Sequence, residues 1–110
     1  MKSTMMDMPL SLNHLLDRAG TIFGGNTIMS RLPDKSLVTH TYAQYHRRTR
    51  GLASALQQLG LRSGDRVATL SWNHHAHLEC YFGIPAAGGV LHTLNIRLAP
   101  DEIEIGRAHV

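Results

Sequence analysis

The order of the apolar runs between Thr41 and Thr93 constrains this chain more than any other feature. A helical pattern, a short β-prone run, a second helical pattern and a second β-prone run follow one another with brief connections. Strands that alternate with helices in this way pair in parallel, because each helix carries the chain back to the end where the next strand begins. The expected fold class is therefore α/β. Its two strands are Arg66 to Leu70, in which Val67, Ala68 and Leu70 suit burial, and Val90 to Thr93.

The helices follow from spacing and from their end signals. Thr41 to Gln44 reads TYAQ, a capping box, after which Tyr45, Thr49, Leu52, Leu56 and Leu59 line one face until Gly60. Asn73 is placed to cap the next helix, which packs through Leu78, Tyr81 and Phe82 until Pro85 kinks or ends it. Upstream, Leu12, Leu15, Leu16, Ala19, Ile22 and Phe23 mark a first helix. Ser11 stands at its cap, Leu10 and Leu15 are placed for a hydrophobic staple, and Gly24-Gly25 supplies its stop. Between these helices, Thr27 to Leu32 and Leu37 to His40 form a β-hairpin around the turn residues Pro33, Asp34, Lys35 and Ser36. Pro100, Asp101 and Glu102 open a last helix.

At 110 residues the chain has room for one small domain or part of a larger one. Hydrophobic residues make up 43% of it, enough for a core, so disorder is not expected. The net charge of +3 is spread out, with Arg47, Arg48 and Arg50 as the densest cluster, which gives no support to a nucleic-acid partner. The run HRRTR from His46 to Arg50 lies opposite the Leu52/Leu56/Leu59 face and reads as solvated helix surface. A lone cysteine, Cys80, excludes an intrachain disulfide and suits a reducing, cytoplasmic setting. MKSTMMDMPL lacks the apolar core of a signal peptide, and no apolar run is long enough to span a bilayer, which leaves a peripheral membrane contact open.

Three motifs bear on chemistry. Gly83 to Gly88 has the spacing of a phosphate loop, but Gly89 and Val90 stand where Lys and Ser/Thr are required, so the glycines are expected to end the helix and let it approach the sheet. His74, His75 and His77 with Cys80 bring three imidazoles and a thiol within two helical turns. Without a second ligand cluster elsewhere, the expected role of these histidines is to cap or line a helix start, and a His-rich metal module is the weaker alternative. Cys80, between Glu79 and Tyr81, is expected to be a buried small residue and not a nucleophile.

The block GLRSGDRVATLSWNHHAHLECYFGIPAAGGVLHTLNIRLAPDEI, Gly60 to Ile103, resembles the N-terminal part of the adenylate-forming acyl-CoA synthetases, in their medium- to long-chain fatty-acid branch. GxxxGDRVA is the mark of the superfamily and YFGIPAAGGVLHTLNIRL that of the fatty-acid ligases, and the similarity extends back to PLSLNHLL. The resemblance implies the opening portion of the large N-terminal domain, truncated. The parent would use ATP, Mg²⁺ and coenzyme A to convert a fatty acid to its acyl-adenylate and then to acyl-CoA, and would be an enzyme that could be homodimeric. The motifs that perform this chemistry match no position here. No catalytic, cofactor-binding or metal residue is therefore assigned, and the isolated chain is expected to be inactive. A small non-catalytic α/β interaction module is the alternative. Ala99 departs from the family, whose members often carry a capping Ser or Thr at that point.

The resemblance ends at Ile103. Written as GAG ATC GGA AGA GCA CAC GTC, the last seven residues, EIGRAHV, reproduce the start of a DNA-sequencing library adapter apart from its first base. The expected division is residues 1–103 as a partial AMP-binding-type domain and 104–110 as a non-native tail, with Gly106 interrupting the helix that Pro100 opens.

Overall fold

A computed structural model describes residues 8–108, with no side-chain description for residues 106–108. The elements run α1 (Leu12–Thr21), β1 (Thr27–Arg31), β2 (Leu37–Thr41), α2 (Tyr42–Gln58), β3 (Arg66–Thr69), α3 (His75–Ala86), β4 (Val90–Thr93) and α4 (Pro100–Ala108). The α/β class is realised. β1 and β2 form an antiparallel hairpin, and β3 and β4 pair in parallel in the register Arg66↔Val90 to Thr69↔Thr93, with α3 as the crossover.

The hairpin turn follows from its residues. Lys35 adopts a left-handed conformation at φ 70°, and the Asp34 carboxylate accepts from both the backbone N–H and the hydroxyl of Ser36. Those bonds, the hydroxyl first, hold the Asp34 carboxyl below its usual range. At the end of β2 the capping box forms in full: Thr41 Oγ1 accepts from Gln44 N at 3.1 Å, and Gln44 Oε1 accepts from Thr41 N at 2.9 Å. Thr41 closes the hairpin and starts α2 at once. Thr41→Ala is therefore expected to destabilise the chain by about 1 kcal/mol, read as a lower midpoint in urea denaturation followed by circular dichroism.

The core lies where α2 and α3 pack on each other and on α1, around Leu16, Tyr45, Thr49, Ala53, Ile84 and Ala87. Tyr45 donates its hydroxyl to the Leu78 carbonyl at 2.5 Å, and burial pushes its pKa up to about 12. Gly83 permits the α2–α3 contact: a Cβ there would stand 2.9 Å from Leu52 Cδ2 and 3.3 Å from the Thr49 carbonyl. The close approach expected between this glycine and the sheet is thus made to a helix instead. Gly88, at φ +92°, turns the chain from α3 into β4.

Several local expectations are corrected. α1 stops at Thr21, before Gly24-Gly25, because the Ile22 N–H closes the last turn onto the Arg18 carbonyl, and Phe23 instead lies beneath the Arg18 guanidinium. Ser11 sits at the cap but its side chain makes no capping bond, and Leu10 is fully out in solvent, so no staple forms. α3 is capped by His74 and not by Asn73, and Pro85 lies inside its last turn, one residue before the helix ends. Leu59, expected on the inner face of α2, is 84% exposed, since it follows the last helical residue. β3 and β4 are only half-buried. α4 continues through Gly106 to Ala108, and the Glu102 carboxylate accepts from the Ala99 N–H at 3.0 Å, supplying the bond that alanine's own side chain cannot.

Candidate functional site

β3 and β4 point the same way and end together at Thr69 and Thr93, and α3 begins beside that end. In open parallel sheets the crevice beyond the carboxyl ends of the strands is where polar groups can converge on a ligand, because the chains diverge there and leave backbone and side-chain groups unspent. Here that crevice has a volume of about 270 Å³ and is walled by Trp72, Asn73, His77, Tyr81, Asn95 and Arg97 among others.

His77 is the anchor of the crevice. It lies on the first turn of α3, almost wholly buried, and its Nε2 shares a hydrogen bond of 2.9 Å with Thr69 Oγ1, tying the helix to the end of β3. Its ring packs against Tyr81 with centroids 4.9 Å apart. Nδ1 is buried and has no hydrogen-bond partner among the described residues. Across the crevice, Asn95 Oδ1 accepts from the Arg97 N–H at 3.0 Å, which shapes the turn that follows β4.

On the other side of α3 a charged network joins the helices to the hairpin. Glu79, with its side chain 10% exposed, accepts from Arg48 Nε at 2.6 Å and lies 3.4 Å from His75 Nδ1. The His75 ring rests on His40 of β2, centroids 4.8 Å apart, and the His75 backbone N–H donates to Ser30 Oγ of β1 at 2.9 Å. A buried carboxylate is tolerable only when its charge is answered, and Arg48 answers it. Arg47 and Arg50 lie in solvent as expected for this run; Arg48, in the same run, has this structural task.

The histidines of NHHAH thus diverge. His74 Nδ1 accepts from the His77 N–H at 3.3 Å as the cap of α3, His75 turns to Glu79, and His77 turns to Thr69. No group of three or more His, Cys, Asp or Glu among the described residues is placed to hold a metal ion. Cys80 is half-buried, and burial, with Glu79 nearby, raises its thiol pKa away from the reactive thiolate. Gly83 to Gly88 spans the end of α3 and cradles no open loop.

The crevice therefore offers an imidazole, a guanidinium, amides and a phenol, which can bind and orient. Nothing local in the sequence marks Trp72, Asn95 and Arg97, and Tyr81 reads there only as packing; the signal that finds all four is their position just beyond, or facing, the carboxyl ends of two parallel strands.

Comparison with known proteins agrees with this architecture. The family described as AMP-binding enzyme matches residues 17–108. The long-chain-fatty-acid–CoA ligase of Thermus thermophilus is 50% identical over 101 residues, which cover 92% of this chain and 19% of that protein. The 3-methylmercaptopropionyl-CoA ligase of Ruegeria lacuscaerulensis is 37% identical over 103 residues, 94% of this chain and 19% of its own length. A solved fatty acyl CoA synthetase of Mycobacterium tuberculosis superimposes with a TM-score of 0.70 at 28% identity, over 86% of this chain and 18% of that one. The chain thus spans about a fifth of the length of these relatives.

Proposed function

Because the chain belongs to the AMP-binding enzyme family, we propose that it is the opening part of the large domain of an ATP-dependent fatty-acid–CoA ligase. The observation that carries this reading is the 50% identity to a long-chain-fatty-acid–CoA ligase, sustained over 92% of the chain. In the reaction, the carboxylate of a fatty acid attacks the α-phosphorus of ATP and expels pyrophosphate, and the thiol of coenzyme A then takes the acyl group and releases AMP. Mg²⁺ would serve the first step by neutralising phosphate charge. Among the described residues no group of three or more His, Cys, Asp or Glu is placed to hold that ion, so no step of the mechanism is assigned to it on this chain.

What the chain contributes is scaffold. The parallel pair β3–β4 with α3 sets the direction of the sheet, and the Glu79–Arg48 and His75–Ser30 bonds hold the hairpin and α2 in place against it. The isolated chain is inactive on this reading, since the charge that develops at the α-phosphate during adenylyl transfer needs converging donors and cations that the crevice, with one guanidinium, does not provide. Residues 104–110 form a non-native tail in the same reading, and Cys80, half-buried and unpaired, is compatible with a reducing cytoplasmic location. No helix among the described residues is long and apolar enough to cross a membrane.

The test is pyrophosphate release from ATP and a long-chain acid, measured on the purified 110-residue chain and on the protein encoded by the locus amplified from source DNA. The expected result is no release above a heat-killed control from the short chain, and release from a longer product whose reading frame departs from EIGRAHV after Ile103. Release by the short chain would overturn its inactivity; a native stop directly after Val110 with no activity would overturn the ligase reading and the tail together.

A further inference from the structure

The seam between the hairpin and α3 gathers titratable groups that the ligase reading does not use. His40, the direct partner of Ile28 in the hairpin register, turns inward from β2, and its ring meets that of His75 with centroids 4.8 Å apart; the His74 ring lies 6.0 Å beyond. His40 Nδ1 is buried and has no hydrogen-bond partner among the described residues. The His75 side chain, only 16% exposed, lies 3.4 Å from the Glu79 carboxylate, which is already bonded to Arg48 of α2 at 2.6 Å. A cavity of about 320 Å³ between β1 and α3 brings Arg31, His77 and Tyr81 up to the same seam, and no carboxylate lines it. Glu79 is thus the one carboxylate paired with any of these groups among the described residues.

We propose that the His40–His75 pair is a pH-sensitive latch, which holds the hairpin on α3 while both rings are neutral and releases it in mild acid. With neutral rings the charges of Arg48 and Glu79 cancel, and Arg31 at the rim is open to solvent. One proton on His75 can be shared with Glu79. A second, on His40, sets two like charges 4.8 Å apart and creates a donor at a buried nitrogen that has no acceptor. The docked hairpin resists that proton and the released hairpin does not. Docking is therefore complete where histidine is neutral and is lost as the pH falls below the ordinary histidine value of about 6.5. Release also gives up the bond from the His75 N–H to Ser30 Oγ, which water at the opened seam replaces. α1 is the opposite case: His46 has Asp17 at 2.9 Å to answer its charge, so acid does not loosen that helix. The latch uses contacts within the described residues and no part of the ligase reading, so the two fail separately.

Amide hydrogen exchange of the 110-residue chain at about pH 7.5 and about pH 5, corrected for the intrinsic pH dependence of exchange, reads the latch as the protection of residues 27–41 relative to that of α2. The expected result is a fall of about tenfold in this ratio in acid, less than two bare like charges at this distance would give, because the rings keep part of their solvent. α1, α2 and α3 should hold their protection. In His40→Gln, which keeps a polar side chain with no charge to gain, the ratio should not change with pH. His14→Gln, at an exposed position on α1, should show the full fall. If glutamine at position 40 undocks the hairpin already at neutral pH, His40→Phe keeps a ring against His75 and is read in the same way. The parent profile needs no variant and decides by itself whether the loss is confined to the hairpin. A ratio that ignores pH in the parent chain, a fall of the same size in a folded His40 variant, or a loss in α2 and α3 that keeps pace with the hairpin would each overturn the proposal.

Discussion

Alanine at position 20 is expected to lift α1 off α2 while α2 and α3 stay packed. A Cβ on Gly20 would stand 2.6 Å from His46 Cβ. That atom belongs to the root of a side chain fixed by its helix, so it cannot swing away; one helix must move. Gly83 makes the contrast. There the added Cβ would meet Leu52 Cδ2 at 2.9 Å, the far end of a flexible side chain that can yield, and the Thr49 carbonyl at 3.3 Å, which needs a shift of only a few tenths of an ångström. Both glycines lie in helices, where alanine recovers up to about 1 kcal/mol of propensity, while overpacking that forces backbone apart costs about 1–3 kcal/mol. At position 83 the two effects nearly cancel. At position 20 the steric cost wins, and the displaced helix also gives up the burial of Leu16 and the 2.9 Å contact between Asp17 and His46. A net loss of about 2 kcal/mol follows, in line with overpacking plus partial exposure of one leucine. Amide hydrogen exchange should show residues 12–21 losing protection in Gly20→Ala while α2 and α3 keep theirs, and Gly83→Ala should unfold within about 1 kcal/mol of the parent chain. Equal behaviour of the two variants would contradict the assignment of the α1–α2 contact.

The second large effect is self-association. The parallel sheet has only two strands among the described residues, so β3 and β4 each present an open edge, and Leu70 and Val90 are 55% and 50% exposed. Parallel strands are ordinarily covered on both faces, and an uncovered edge offers its backbone groups to any other strand. The purified 110-residue chain is therefore expected to sediment as a concentration-dependent mixture and to melt broadly. Val90→Lys, which places a charge on the exposed strand without touching the α2–α3 core, should shift the distribution toward monomer. A monodisperse monomer with a sharp thermal transition in the parent chain would refute this, and would favour a self-sufficient module over the scaffold of a larger domain.

Wherever the signal was local, the residues sufficed. Thr41 and Gln44 are three apart and satisfy each other across one helical turn, so TYAQ alone located the start of α2. The turn residues Asp34 to Ser36 specified the hairpin in the same way, and the spacing of short runs around α3 was enough for a parallel pair. Local preference misled where competing groups lay close together. Asn73 is the better capping residue by type, yet His74 caps α3, because its Nδ1 reaches the His77 N–H. The end of α1 departs from its glycine signal: the last helical bond, from the Ile22 N–H to the Arg18 carbonyl, is made before the glycines are reached.

By itself the sequence determined the α/β class, the order of elements and the parallel pairing, because each of these depends on residues near one another in the chain. Only the tertiary structure decided what the polar groups do. Arg48 and Glu79 are 31 positions apart and meet at 2.6 Å, and Ser30 and the His75 N–H are 45 apart and meet at 2.9 Å. No periodicity announces such a pair, since its energy comes from answering a buried charge or a free helix-start donor, and that need exists only once α2, α3 and the hairpin have been packed together. The crevice at the ends of β3 and β4 has the same origin: His77, Asn95 and Arg97 become neighbours through the direction of two paired strands, which the chain acquires only on folding.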